Sequence, residues 1–209
     1  MTGTSLREIV HLVASLLVLT IAFTYPNLTP QVMLIAAFGV GTGFLLHEMA
    51  HKFTAQRYGY AADYEASPLG LIMALGLSLA TNGGFVFAAP GAVMIRGKRV
   101  YYNPLEDRYW DSHQAAKELA YISVSGAVVN LVLAISFLIA AFFVVPHNLA
   151  NADLIIRILI RSAFINVFLA LFNMIPFGPL DGAKVWQYKR SLWLTVMIPS
   201  ILLFIFFPA

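Results

Sequence analysis

The chain has no cysteine, which excludes a thiol nucleophile, a thiolate zinc site and a disulfide framework. It is also poor in charge. Asp, Glu, Lys and Arg make up 11% of its 209 residues, less than half of the roughly 25% usual in a soluble domain. No stretch is both long enough and polar enough for a separate soluble domain of ordinary size. That leaves no room for an added peptide-binding or nucleotide-binding module. Nucleic acid is not an expected partner either, because the net charge is only +3 and no dense basic run stands beside exposed aromatics. What the chain does have is apolar residues, 60% of the total. The expected class is an all-α polytopic membrane protein, with residues 1–209 forming a single membrane domain in contact with the lipid bilayer.

Five apolar runs approach the length of about 20 residues that a helix needs to cross a bilayer. They lie near 9–25, 31–50, 119–145, 154–176 and 191–208. The first lacks a small-residue cleavage site and reads as a retained span. A sixth stretch, 69–95, is punctuated by Asn82-Gly83-Gly84 and Pro90-Gly91, with the β-leaning run Phe85–Ala89 between them. These turn signals predict a re-entrant or membrane-associated β-hairpin region rather than a span. With five spans and a cytoplasmic N-terminus, eleven basic residues fall inside: Arg7, Lys52, Arg57, Arg96, Lys98, Arg99, Arg108, Lys117, Lys184, Lys189 and Arg190. Only Arg157 and Arg161 fall outside. That asymmetry is the positive-inside pattern.

The second span runs directly into His47-Glu48-Met49-Ala50-His51, an HExxH motif. On a helix, positions four apart share a face, so the two imidazoles can take adjacent corners of a tetrahedral zinc site. Glu48 follows the first ligand and can take a proton from water as it attacks a carbonyl, then deliver it to the leaving nitrogen. With five His among 209 residues, chance supplies about 0.003 such matches. The bland alternative is an ordinary interfacial turn just past the membrane edge.

A catalytic zinc held by two His needs a third protein ligand and an open position. The fourth span ends in Asn173-Met174-Ile175-Pro176-Phe177-Gly178-Pro179-Leu180-Asp181-Gly182. Its prolines and glycines break the helix, and irregular backbone at membrane depth is tolerated only inside protein or beside a wet cavity. By the charge count this break lies on the same side as HExxH, which makes Asp181 the natural third ligand. His11, His113, His147, Asp63, Glu65 and Asp111 stand as alternatives, and a simple Asp-Gly turn is the structural reading of Asp181. Ser125, Gly126 and Asn130 in the third span read as helix-packing and interhelical hydrogen-bonding positions.

HExxH in an apolar helix, followed far downstream by N-x-x-P-x-x-x-L-D-G at Asn173, Pro176, Leu180, Asp181 and Gly182, resembles the site-2 protease family of intramembrane zinc metalloproteases. The resemblance covers a core of about 31–182 and is closest in form to compact archaeal members. It implies one zinc per chain held by His47, His51 and Asp181, with Glu48 as general base. It further implies that Asn173 helps to bind substrate or the developing oxyanion. The substrates it implies are membrane-anchored proteins with a single spanning helix, and the Gly-rich stretch 82–95 resembles the β region thought to pair with them. The expected setting is the plasma membrane of a prokaryote, with the site opening to the cytoplasm. One span after Asp181, where relatives have two, departs from the pattern. The reading from another class is a zinc-binding membrane protein without hydrolysis, a transporter or pseudoprotease. Glu48 speaks against it, because a pure binding site needs no carboxylate there.

Overall fold

The computed structural model describes residues 3–98, 112–144 and 151–207. Helix α1 (Leu6–Thr24) is capped by the Ser5 hydroxyl, which accepts from the Glu8 amide. Helix α2 (Pro30–Val40) starts on proline, whose missing N–H costs nothing at a first turn. A π-helical turn (Gly41–Leu45) joins it to α3 (Leu46–Arg57), so that Pro30–Arg57 forms one long rod. A Cβ at Gly43 would lie 2.8 Å from Leu169 Cδ1, so the glycine lets this turn pack closely there. Strand β1 (Tyr60–Ala66), α4 (Pro68–Ala80) and β2 (Gly91–Lys98) follow. Then come α5 (Ser112–Val144), α6 (Ala152–Asn173), α7 (Asp181–Tyr188) and α8 (Arg190–Ile205).

Among the described residues, four helices are long and apolar enough to cross a bilayer: Leu6–Thr24, Pro30–Arg57, His113–Phe143 and Ala152–Asn173. The chain is a helical polytopic membrane protein, and its outer surface carries exposed Leu6, Ile72, Phe142, Phe143 and Ile205. Between helices in lipid, close packing replaces the hydrophobic drive, and small residues permit it. On α5, Ala120, Ala127, Ala134 and Ala141 recur every seven residues and are all buried. Helix α6 packs along α5, with Ala170 beside Val124 and Ala127 in one buried cluster that Met174, Val185 and Val196 complete. A second cluster joins Leu19, Val40, Phe44, Tyr64, Leu169 and Phe172, locking α1, α2, β1 and α6 together.

The structure differs from the sequence expectation in three places. The stretch 69–95, expected as a re-entrant or β-hairpin region rather than a span, is a helix too short to cross, α4, followed by a non-helical segment, so the hairpin form is replaced by a helix. The sheet forms between β1, just after the HExxH helix, and β2, antiparallel with Tyr64 opposite Val93. The turn signals at 82–84 and 90–91 are real, but they bound an extended segment in which Val86, Ala88 and Pro90 are buried in alternation. The uniformly apolar Leu69–Ala80 carried no period that separates helix from strand. The second difference is the last apolar run. It becomes α8, whose 16 residues span about 24 Å at 1.5 Å each, short of a hydrocarbon core about 30 Å thick. Third, the helix of the second apolar run does not stop near residue 50 but continues through His51 to Arg57. Arg99, Arg108, Asp111 and His147 lie outside the described residues.

Candidate metal centre

His47 and His51 lie on the face of α3 that packs against α5. His47, Glu48 and His51 are all buried. Their imidazole Nε2 atoms stand 2.9 Å apart. Across from them, Asp181 Oδ2 is 3.0 Å from His51 Nε2 and 3.4 Å from His47 Nε2. Three potential ligand atoms therefore converge on one point. Ligands held 2.0–2.1 Å from a tetrahedral zinc are mutually about 3.3 Å apart, so the spacing fits such an ion. Glu48 supplies a second, independent sign. Its Oε2 is buried and has no hydrogen-bond partner, which is costly unless something polar is meant to meet it.

Asp181 reaches the histidines because the chain turns back after α6. Gly182 makes the turn possible: a Cβ there would collide with the Met174 carbonyl. The freed Met174 carbonyl accepts from Trp193 Nε1 at 2.6 Å, so α8 pins the broken segment from behind. Asp181 opens α7, where a carboxylate also meets the positive end of the helix dipole. Burial alone would raise its pKa. The charge of His51, the contacts of both rings and Lys184 override burial and hold the carboxyl well below the ordinary range. Lys184 Nζ lies 3.3 Å from the other oxygen, Oδ1.

No family model matches the chain, and no solved structure reaches a significant match. A protein of Methanocaldococcus jannaschii named "Putative zinc metalloprotease" does. It is 34% identical over 197 residues, covering 94% of this chain and 92% of that one. The chain belongs to that zinc metalloprotease family. In this metalloprotease, His47, His51 and Asp181 form the one such ligand group among the described residues.

The competing ligand candidates are occupied elsewhere. His11 Nδ1 accepts from the Ala66 amide, Glu65 pairs with Arg96, Asp63 lies 4.0 Å from Lys52, and His113 sits against the Tyr188 ring. Asn173 does not join the cluster through a hydrogen bond in this state. Its Nδ2 donates to the Leu169 carbonyl one turn back in its own helix.

Sequence reasoning underrated α5. Gly126 reads as a packing position, yet a Cβ there would lie 2.6 Å from both His47 Cε1 and His51 Nε2. The glycine thus keeps the centre open on that side. Asn130, one turn on, reads as interhelical glue, and its Oδ1 in fact lies 2.6 Å from His47 Nδ1. The His51 Nδ1 faces the Ile122 carbonyl at 2.7 Å. A glycine and an amide four residues apart on a spanning helix were the available signal. The Ile122 contact left none, because any residue has a carbonyl.

Proposed function

We propose that this chain is an intramembrane zinc endopeptidase of the site-2 protease type. In this reading one zinc is held by His47, His51 and Asp181, with Glu48 as the general base. The observation that carries it is the convergence of three ligand atoms beside a buried carboxylate whose Oε2 has no partner. A metal store or transporter needs the first of these and not the second.

When bound, zinc supplies Lewis-acid chemistry: it polarises a peptide carbonyl and acidifies water. The rest falls to the chain. Glu48 Oε2 accepts the proton of the attacking water and returns it to the leaving peptide nitrogen. His47 and His51 hold their Nε2 atoms toward the centre and Asp181 contributes a carboxylate. Asn173, once released from Leu169, offers an amide to the substrate or to the developing oxyanion.

The substrates in this reading are single-span membrane proteins, entered at a helix break or at small residues, since a helical backbone hides its peptide bonds. An extended peptide adds to a sheet edge. The extended segment 85–90 supports such a dock, because Phe85 and Phe87 pack on Phe172, the neighbour of Asn173. A plasma-membrane location with the site facing the cytoplasm rests on the loop-charge asymmetry.

The test is a single-span reporter co-reconstituted with the protein in liposomes, beside metal analysis of detergent-purified protein. The expected result is cleavage by wild type with about one zinc per chain, none by Glu48→Gln, and zinc retained in that variant. Zinc retention with equal cleavage by Glu48→Gln would sink the mechanism. Zinc without any cleavage of a panel of reporters would favour the pseudoprotease or transporter reading.

A further inference from the structure

Three polar side chains behind the metal face are linked in a line that ends on main-chain carbonyls. His47 Nδ1 lies 2.6 Å from Asn130 Oδ1. Asn130 Nδ2 donates twice, to the Gly43 carbonyl at 3.0 Å and to Asn166 Oδ1 at 2.9 Å. Asn166 Nδ2 donates in turn to the Ser162 carbonyl at 2.9 Å. Asn130 and Asn166 are both fully buried, at 0% exposure, where water cannot substitute for a lost partner.

The direction of every bond in this line is forced from its two ends. A main-chain carbonyl can only accept. The Ser162 carbonyl therefore requires the Asn166 NH₂ group, which leaves Asn166 Oδ1 facing Asn130. The Gly43 carbonyl, in the π-helical turn just before HExxH, likewise requires a donor. Asn130 must then present its NH₂ group to both neighbours and its Oδ1 to His47. An amide oxygen can only accept, so the His47 Nδ1 must carry the proton, and the lone pair of the neutral ring lies on Nε2.

We infer that Asn130 and Asn166 are positioning residues that fix the tautomer and orientation of His47, so that its Nε2 is presented to the metal before the metal arrives. The inference rests on the metal-centre reading of His47 given above. His51 needs no such relay, because its Nδ1 meets the Ile122 carbonyl directly. Each histidine is thus anchored, directly or through amides, on carbonyls that cannot change role. A polar residue that only glued helices together would gain nothing from this directionality. Partners of this kind typically contribute 10–100-fold in metal affinity.

The experiment compares wild type, Asn130→Leu, Asn130→Asp, Asn166→Leu and the N130L/N166L double variant in detergent. Two readouts are taken: zinc dissociation constants by competition with a chelating dye, and ¹H–¹⁵N spectra of the metal-free protein at mildly alkaline pH. The His47 signals are assigned by their loss in His47→Gln. The leucine fills similar volume without an acceptor, whereas aspartate keeps one. Expected is an Nδ1–H tautomer of His47 in wild type and N130D, and a shift toward Nε2–H in N130L. Zinc should bind about 10–100-fold more weakly to N130L and less than tenfold more weakly to N166L. The double variant should be no worse than N130L, since residues in one line are not additive.

Zinc affinity and His47 tautomer both unchanged in N130L would overturn the inference. If N130L does not fold, N130D decides, and a shift of His47 to Nε2–H in that variant overturns it. Failure of wild type to bind zinc would instead strike the metal-centre reading, and the tautomer spectra would still test the relay.

Discussion

Helix α3 buries two polar clusters, and they are built differently. In one, His47 and His51 face Asp181 and Asn130, with Glu48 beside them. In the other, Lys52, one turn after Glu48, has its Nζ 2.6 Å from Glu8 Oε2 on α1. That second cluster is closed. Glu8 Oε1 accepts from the Tyr64 amide, Lys52 also reaches Thr4, and the Tyr64 hydroxyl is bonded to Ser15 at 2.8 Å. Burial pushes the Tyr64 hydroxyl pKa up, with the nearby Glu48 carboxyl adding to it. The first cluster is open. Its three ligand atoms lie close to one another, and Glu48 Oε2 has no hydrogen-bond partner. A charge pair that is complete at 2% and 1% side-chain exposure holds elements in register. A cluster left incomplete at similar burial has a site's composition. Burial of polar groups alone therefore does not mark function; the unmet valence does.

That comparison breaks most sharply at the open cluster. His47→Ala or Asp181→Asn should lose zinc and cleavage together, while leaving the Glu8–Lys52 side intact. Metal analysis beside the reporter assay checks this, and zinc kept at wild-type level by Asp181→Asn would return the third ligand to another residue. Glu48→Gln should lower the cleavage rate by about 10²–10⁴-fold, the usual contribution of a general base. Its unfolding midpoint should not fall, because the change replaces a buried ionisable group whose Oε2 has no hydrogen-bond partner with a neutral amide of the same shape.

At the closed cluster the signs reverse. Lys52→Met leaves Glu8 buried and unpaired, at a cost of about 3–5 kcal/mol in stability. Zinc per folded chain should stay the same. The double change Glu8→Leu with Lys52→Met removes both charges and should recover most of that loss, as denaturant titration in mixed micelles would show. Gly126→Ala sits between the two classes. Its Cβ presses on both imidazoles, so overpacking should cost about 1–3 kcal/mol and zinc should bind more weakly. Normal zinc affinity in that variant would mean that α5 can move aside. The smallest expected effect is Ser15→Ala, about 1 kcal/mol for one lost hydrogen bond, with no change in metal.

The spans and the metal motif were readable in the chain for a physical reason. Apolar runs of spanning length state their environment, and HExxH states its chemistry through a spacing that one turn of helix satisfies. Asp181 was nameable for its setting in a broken helix, but 130 residues separate it from His51 and no spacing rule links them. In the region 69–95 the absence of a span was legible, but the helical form of its first half was not, because an unbroken apolar run looks alike as helix or strand. Its sheet partner, β1, stands before it in the chain. Glu8 gave no sign of seeking Lys52, since a lone carboxylate near a helix start is ordinary.

The amino-acid sequence by itself determined the membrane class, the helical spans before α8, and the two histidines and the glutamate that share a helical face. These are local properties, set by hydropathy and by a period of 3.6 residues. Only the tertiary structure decided which acid meets the histidines, which amide stands behind His47, and which of two buried polar clusters is left incomplete. Those depend on the packing of α5, α6 and the turn before α7 against α3, and contacts between segments far apart in the chain leave no local signature.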